Sequence, residues 1–113
     1  MPHAVRTDLV TEAVEARGEG VVWALGASED LNANLVRFGA GRGVGGHVNE
    51  EVDVIIVGVS GSGCVEVEGK ENALEAGKLV FVPRGSWRST RAGQEDFAYL
   101  TVHRRRGPLR IGP

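Results

Sequence analysis

Apolar residues along this chain fall into short runs that are separated by glycine-rich turns. Residues 64–68 alternate strictly, with Val65 and Val67 on one face and Glu66 and Glu68 on the other, which is the period of a half-buried strand. The chain has 17 glycines, and short strands joined by glycine turns are typical of a sandwich or a barrel. The predicted strands are residues 21–25, 31–38, 52–59, 64–68, 71–74, 79–82 and 97–103.

The run from Val52 to Val59 is the longest apolar segment, and it is apolar on both faces of a strand. A strand of this kind can fill the interior with one face and pack on a second sheet or a second subunit with the other. Only residues 8–17 have the spacing of a helix. The pattern therefore predicts an all-β chain with one short helix.

Length and charge restrict the class of protein. At 113 residues, the chain is expected to be one domain that covers residues 1–113. A net charge of -2 and a pI near 5.9 argue against nucleic acid or an anionic membrane as the main partner. The basic residues Arg104–Arg106 and Arg110 are expected to be a solvated tail or to donate salt bridges between subunits.

Cysteine use and hydropathy indicate the compartment. Cys64 is the single cysteine, so no disulfide can form within the chain. No apolar run approaches the ~20 residues of a membrane span, and no signal-peptide pattern opens the sequence. These features predict a cytoplasmic protein with no membrane partner.

The glycine run contains a G-x-G-x-x-G match at Gly41, Gly43 and Gly46. A dinucleotide site needs a helix directly after such a motif, because the helix N-terminus holds the pyrophosphate. Here a β-like valine run follows instead. We therefore expect these glycines to permit sharp turns and close backbone approach at a barrel rim.

A second spacing is more specific, and it resembles the two signature motifs of the cupin superfamily. The first motif falls on residues 41–61 and the second on residues 77–92. The residues that carry the resemblance are Gly41, His47, Asn49, Asp53 and Gly61 in the first motif, and Gly77, Pro83, Gly85 and Arg88 in the second. The resemblance implies a jelly-roll barrel, also called a double-stranded β-helix, and it implies a homodimer.

The metal-ligand positions of these motifs are mostly substituted. The resemblance would place three histidines and one glutamate there, but His47 is the only one present. Asn49 stands at the second histidine, Asp53 at the glutamate, and Arg88 at the third histidine. An amide oxygen is a weak ligand for zinc or iron, and a guanidinium repels a cation. No metal cofactor is therefore favoured.

Three interpretations of this cluster remain open. In the first, Arg88 pairs with Asp53 or Glu51 as a structural remnant in a structural or regulatory dimer module with an occluded cavity. In the second, Arg88 and His47 hold a small anionic or polyhydroxylated molecule in the barrel. The candidate ligand-binding residues are then Arg88, His47, Asp53 and Asn49.

The third interpretation is a metal-dependent enzyme of the dioxygenase or isomerase type. Its divalent metal would be bound by His47 and Asp53, with Glu51 or His103. The substitutions favour the binding protein over the enzyme, and no residues are assigned to catalysis.

Overall fold

The computed structural model describes residues 3–106, and in this range the chain forms two antiparallel β-sheets and one short helix. Helix α1 is Leu9–Glu15. The strands are β1 Gly20–Ala24, β2 Leu31–Phe38, β3 Gly43–Val48, β4 Val54–Ser60, β5 Ser62–Val67, β6 Lys70–Glu75, β7 Leu79–Val82, β8 Trp87–Ala92 and β9 Phe97–Arg104. Arg110, for which a solvated tail or salt bridges between subunits were predicted, lies outside the described residues.

The strands are distributed between a five-stranded and a four-stranded sheet. The first sheet has the order β1-β2-β9-β4-β7, and the second has the order β3-β8-β5-β6. Apart from the hairpins β1–β2 and β5–β6, consecutive strands cross between the two sheets, as they do in a jelly roll. This confirms the predicted all-β double-stranded β-helix, and every predicted strand is present within a few residues of its expected bounds.

The glycine run differs from the expectation in one respect. Residues Gly43–Val48 form β3, which pairs with β8, whereas the sequence predicted only turns at a barrel rim. A side chain at Gly43 would overlap the Thr90 carbonyl, and one at Gly46 would overlap the Trp87 ring. The expected close backbone approach is therefore confirmed, but it serves strand pairing.

The core fills the space between the sheets on the side of β4, β5, β6 and β7. The largest fully buried side chains there include Phe97, Ile56, Leu74 and Val65. Phe97 and Tyr99 are neighbours on β9, and their ring centroids are 5.2 Å apart. Burial of this apolar surface is the main stabilising contribution to the fold.

Helix α1 covers part of the outer face of the five-stranded sheet. Asp8 caps its N-terminus by accepting a 3.1 Å hydrogen bond from the Thr11 amide. Ala13 packs in a second cluster with Leu35 and Val59. Among residues 3–106, no helix combines the length and the apolar character that crossing a bilayer requires.

Gly61 provides a test of how the β4–β5 turn is fixed. Its φ is +67°, and an added Cβ would overlap the Asp96 carbonyl oxygen. We expect Gly61→Ala to lower the free energy of unfolding by roughly 2–5 kcal/mol, because left-handed strain and overlap add. Urea unfolding followed by tryptophan fluorescence measures this change.

The matched control for Gly61→Ala is Gly69→Ala. Gly69 has φ +80°, but no atom lies within 4 Å of an added Cβ. Its substitution should therefore cost only the backbone strain, about 1–2 kcal/mol. Equal losses in the two variants would show that contact with Asp96 does not constrain this turn.

Candidate functional site

A cavity of about 270 Å³ lies between the two sheets at the end of the core near β1 and β3, and its lining includes Val36, Ile56 and Tyr99 of the core cluster. Its lining includes residues of β1 and β3, which are the edge strands on this side of the two sheets. Val21 on β1 and Val44 on β3 are both exposed, which places the cavity mouth between these strands. The apolar wall of the cavity consists of Val21, Val36, Phe38, Val44 and Ile56.

The polar side chains of the cavity come mainly from β8 and β9. Residues of β8 alternate, so Arg88 and Thr90 point into the cavity while Arg91 points outward and is exposed. Tyr99 and Thr101 have the same relation on β9. The sequence therefore places one positive charge and several hydroxyls among apolar side chains.

Arg88 and His47 face each other directly across the β3–β8 pair. The Arg88 Nε–H donates to His47 Nε2 over 3.3 Å, and His47 Nδ1 lies 3.1 Å from the Gly45 carbonyl oxygen. A carbonyl can only accept, so the proton belongs on Nδ1, and Nε2 is free to accept from Arg88. The imidazole is therefore neutral in this arrangement and holds the guanidinium at one edge.

Arg88 is half-buried, and no carboxylate of residues 3–106 forms an ion pair with it. Burial lowers the pKa of the Arg88 guanidinium from its ordinary value. The nearby Tyr99 raises that pKa, and the positive charge of Arg106 lowers it. A desolvated positive charge without a counterion is costly. The site therefore favours an anion at Arg88.

Tyr99 is buried beside this charge and is hydrogen bonded to Thr90. The phenolic oxygen lies 3.1 Å from Thr90 Oγ1, and either hydroxyl can be the donor. Burial raises the pKa of the Tyr99 phenol, although the Thr90 hydrogen bond and the Arg88 charge act in the opposite direction. This contact uses one of the two O–H donors, and the other hydroxyl can still donate to a second acceptor.

The other candidate ligand-binding residues lie elsewhere. Strand β3 ends at Val48 and β4 begins at Val54, so Asn49 and Asp53 lie in the connection between the two strands. Asn49 instead caps a turn: its Oδ1 accepts from the Glu51 amide over 2.9 Å. Asp53 Oδ1 accepts from the Arg84 amide over 2.8 Å. Neither side chain is among those that line the cavity.

Glu51 and His103 are also separate from the Arg88–His47 pair. Glu51 is exposed, and its backbone carbonyl accepts from Arg104 Nη2 over 2.9 Å. His103 lies at the end of β9 with Nδ1 2.8 Å from the Arg104 carbonyl oxygen. The structure brings Arg88 and His47 together, but it does not bring Glu51 or His103 into the cavity lining.

The residues present do not fit the metal that the cupin resemblance implies. His47 Nε2, the nitrogen that could bind a metal, already accepts a hydrogen bond from Arg88. In the part of the chain that the structure describes, no three His, Cys, Asp or Glu side chains are close enough to hold an ion. A guanidinium at a former ligand position would also repel a cation.

Sequence reasoning did not identify Thr90, Tyr99 or the apolar wall as parts of the site. The alternation in residues 97–103 did place Tyr99, Thr101 and His103 on one face. That signal could have identified Tyr99 as inward-facing. The contact with Thr90 depends on how the two sheets pack, which no local pattern contains.

Tyr99 is the single tyrosine in the chain, so its ionisation can be followed directly by near-ultraviolet absorbance. We expect it to titrate above the ordinary value of 10.0 in the folded protein, because burial raises its pKa. Its contribution to stability is complete below the pKa of unfolded tyrosine and decreases as pH rises from there through the folded pKa.

Variants separate the causes of this shift. Arg88→Met should raise the Tyr99 pKa further, because the positive charge that lowers it is removed. Arg91→Met is the control, since Arg91 points outward on the same strand. Titration at the ordinary tyrosine value, with tryptophan fluorescence still native, would contradict the buried position of Tyr99.

Comparison with known proteins supports the fold. The structure of KdgF from a Halomonas species is 26% identical, covers 75% of this chain and 77% of its own, and has a TM-score of 0.69. A predicted oxalate decarboxylase from Thermotoga maritima is also 26% identical, with a TM-score of 0.61 over 65% of this chain and 64% of its own.

A third structure shows the likeness of the fold over almost the whole chain. The Bacillus halodurans protein BH2720 has a TM-score of 0.80 over 99% of this chain and 88% of its own, at 15% identity. A search of curated protein sequences found no match. The sequence profile described as "Cupin domain" matches residues 34–103, a range that contains the Arg88–His47 pair. This chain therefore belongs to the cupin family.

Proposed function

We propose that the chain is a binding protein that holds a small anionic molecule in its barrel cavity, on Arg88 and His47, without a metal. The observation that carries the proposal is the half-buried Arg88 guanidinium, which lines the cavity without a carboxylate partner in residues 3–106. An anion in the cavity would supply the missing counterion. The cavity also gives such a ligand space that an occluded structural module would lack.

The enzyme alternative draws its support from the neighbours alone. One similar structure is a predicted oxalate decarboxylase, and oxalate is a small carboxylate anion. This similarity is compatible with carboxylate binding in this architecture, but the donor set argues against a metal in this chain. Asp53 and Asn49, proposed from sequence as further ligand-binding residues, would act through the turn that supports β3 and β8.

Arg88→Ala should weaken binding of a small carboxylate by about 2–5 kcal/mol, because a desolvated charge pair is lost. A thermal-shift screen of organic acids, phosphates and sugars against wild type and variant measures the effect. Arg91→Ala is the matched control and should bind like wild type, since Arg91 is exposed on the outer face. Equal ligand-induced shifts in wild type and Arg88→Ala would contradict the proposal.

Metal analysis of the purified protein distinguishes the metal-free binding protein from the metal-dependent enzyme. Protein purified without a histidine tag is analysed for iron, manganese, nickel and zinc. Substoichiometric metal is expected. A stoichiometric metal that disappears in His47→Ala would overturn the metal-free proposal, because His47 is the one histidine in the cavity lining.

We also propose that two copies of the chain associate through the part of the five-stranded sheet that α1 leaves uncovered. Ile55, Leu79 and Phe81 lie on this outer face and are 39%, 59% and 53% exposed. Ile55 pairs with Phe81 across β4 and β7, and with Val102 across β4 and β9. A continuous exposed apolar surface favours an interface, and a flat sheet face can pair with its own copy about a two-fold axis.

Phe81→Glu should shift the dimer toward monomer, because the two-fold axis would bring two charges into one apolar interface. Sedimentation over a concentration series measures the dissociation constant, and we expect at least a tenfold increase. Val48→Glu is the control, since Val48 is 45% exposed on β3, which belongs to the four-stranded sheet. A wild-type protein that remains monomeric at all concentrations would refute this interface.

A further inference from the structure

The proposed function leaves open the chemical class of the anion, and the distribution of polar atoms in the cavity narrows it. We infer that the ligand is a small monocarboxylic acid with an apolar body, whose carboxylate binds Arg88 and whose body contacts the apolar wall. This inference rests on the proposed function. It excludes the polyhydroxylated molecules that the sequence left open.

One edge of the Arg88 guanidinium is free to bind a ligand. Its Nε–H is directed to His47 Nε2, which fixes the orientation of the planar guanidinium. The terminal Nη1 and Nη2 groups have no hydrogen-bond partner within the described residues. Two parallel N–H donors at one edge match the two oxygens of a carboxylate. The neutral His47 therefore acts as a positioning residue for end-on binding of a carboxylate.

The charge around this edge also favours an anionic ligand. Among residues 3–106, Arg88 is the one charged side chain in the cavity lining, so the local potential is positive. No acidic side chain is among those that line the cavity in residues 3–106. A neutral or cationic ligand would leave this positive potential uncompensated.

Much of the remaining cavity surface is apolar. Its wall is built of the five side chains of the apolar wall, from Val21 to Ile56. The Tyr99 and Thr90 hydroxyls are hydrogen bonded to each other. The Thr101 hydroxyl donates to the Asn34 carbonyl oxygen over 3.5 Å, so few O–H donors remain for a ligand. Sugar hydroxyls would lose water against this surface without gaining partners, which is unfavourable. An aliphatic or aromatic body would instead bury apolar surface.

The volume of the cavity limits the size of the ligand. A volume of about 270 Å³ is slightly below the ~300–1,000 Å³ that is usual for ligand pockets. The ligand is therefore smaller than most cofactors. Acids of the size of hexanoate or benzoate suit this space.

The test is isothermal titration calorimetry with benzoate and hexanoate at one fixed ionic strength, since salt screens charge pairs. Benzamide serves as the neutral analogue of benzoate, and gluconate serves as a hydroxylated carboxylate. We expect both apolar acids to bind at least tenfold more tightly than benzamide and than gluconate. Amide chemical shifts of Thr90 and Thr101 should move with benzoate, which locates the binding in the cavity.

Variants test the two halves of the site separately. Arg88→Met keeps the length of the side chain, removes its charge, and should weaken benzoate at least tenfold. Arg91→Met, on the outer face of the same strand, should stay within twofold of wild type. Val44→Phe narrows the cavity mouth and should weaken benzoate more than it weakens acetate.

The outcomes distinguish the inference from the proposed function. If gluconate binds in an Arg88-dependent way and the apolar acids do not, the inference is wrong and the proposed function stands. If benzamide binds as tightly as benzoate, the carboxylate does not determine recognition, and the inference is wrong. If none of the carboxylates binds the wild-type protein, the inference is wrong, and the proposed function fails as well if no phosphate in the thermal-shift screen binds.

Discussion

Phe97 and Tyr99 lie two residues apart on β9, and both side chains point into the space between the sheets. Phe97 belongs to the packed half of the barrel, where a side chain at Gly63 would overlap its ring. Tyr99 belongs to both halves, since it contacts the core cluster and lines the cavity. The position of this aromatic pair therefore sets where the interior is filled and where it stays open.

Strand β8 depends on the same packing. Thr90 is held by Tyr99 from the opposite sheet, and this contact fixes which residues of β8 point inward. Because strand side chains alternate, Arg88 must then share the inward face with Thr90. The β3–β8 register brings His47 opposite Arg88. A contact in the core thus determines the orientation of the one charge in the cavity.

Much of the fold was predictable because its signals are local. The period of residues 64–68 and the glycines that end each apolar run give the strands without any knowledge of packing. Strands β3 and β8 were not predicted, and β3 escaped because glycine has low strand propensity. Only the approach of Thr90 and Trp87 shows why side chains are excluded there.

The candidate site, like the fold, was predictable only in part. Arg88 and His47 were predicted together from their motif positions, and the structure pairs them. Asn49 and Asp53 were expected to bind the ligand from the same motif positions, but they lie in the connection between β3 and β4. Asn49 instead hydrogen bonds the backbone of the following residues, which competes with extended conformation and ends β3. The side chain that looked like a substituted ligand therefore has a structural explanation in its own turn.

The substitution at Arg88 changes the chemistry of the site more than its charge. A metal ion and a guanidinium both attract an anion, so a barrel can keep its positive potential after the exchange. A guanidinium, however, cannot form coordination bonds, change oxidation state or convert a bound water to hydroxide. It also presents two directed donors in a plane, which selects for shape as well as charge. The Arg88–His47 pair is therefore suited to recognising a carboxylate, and the apolar wall beside it decides what that carboxylate can carry.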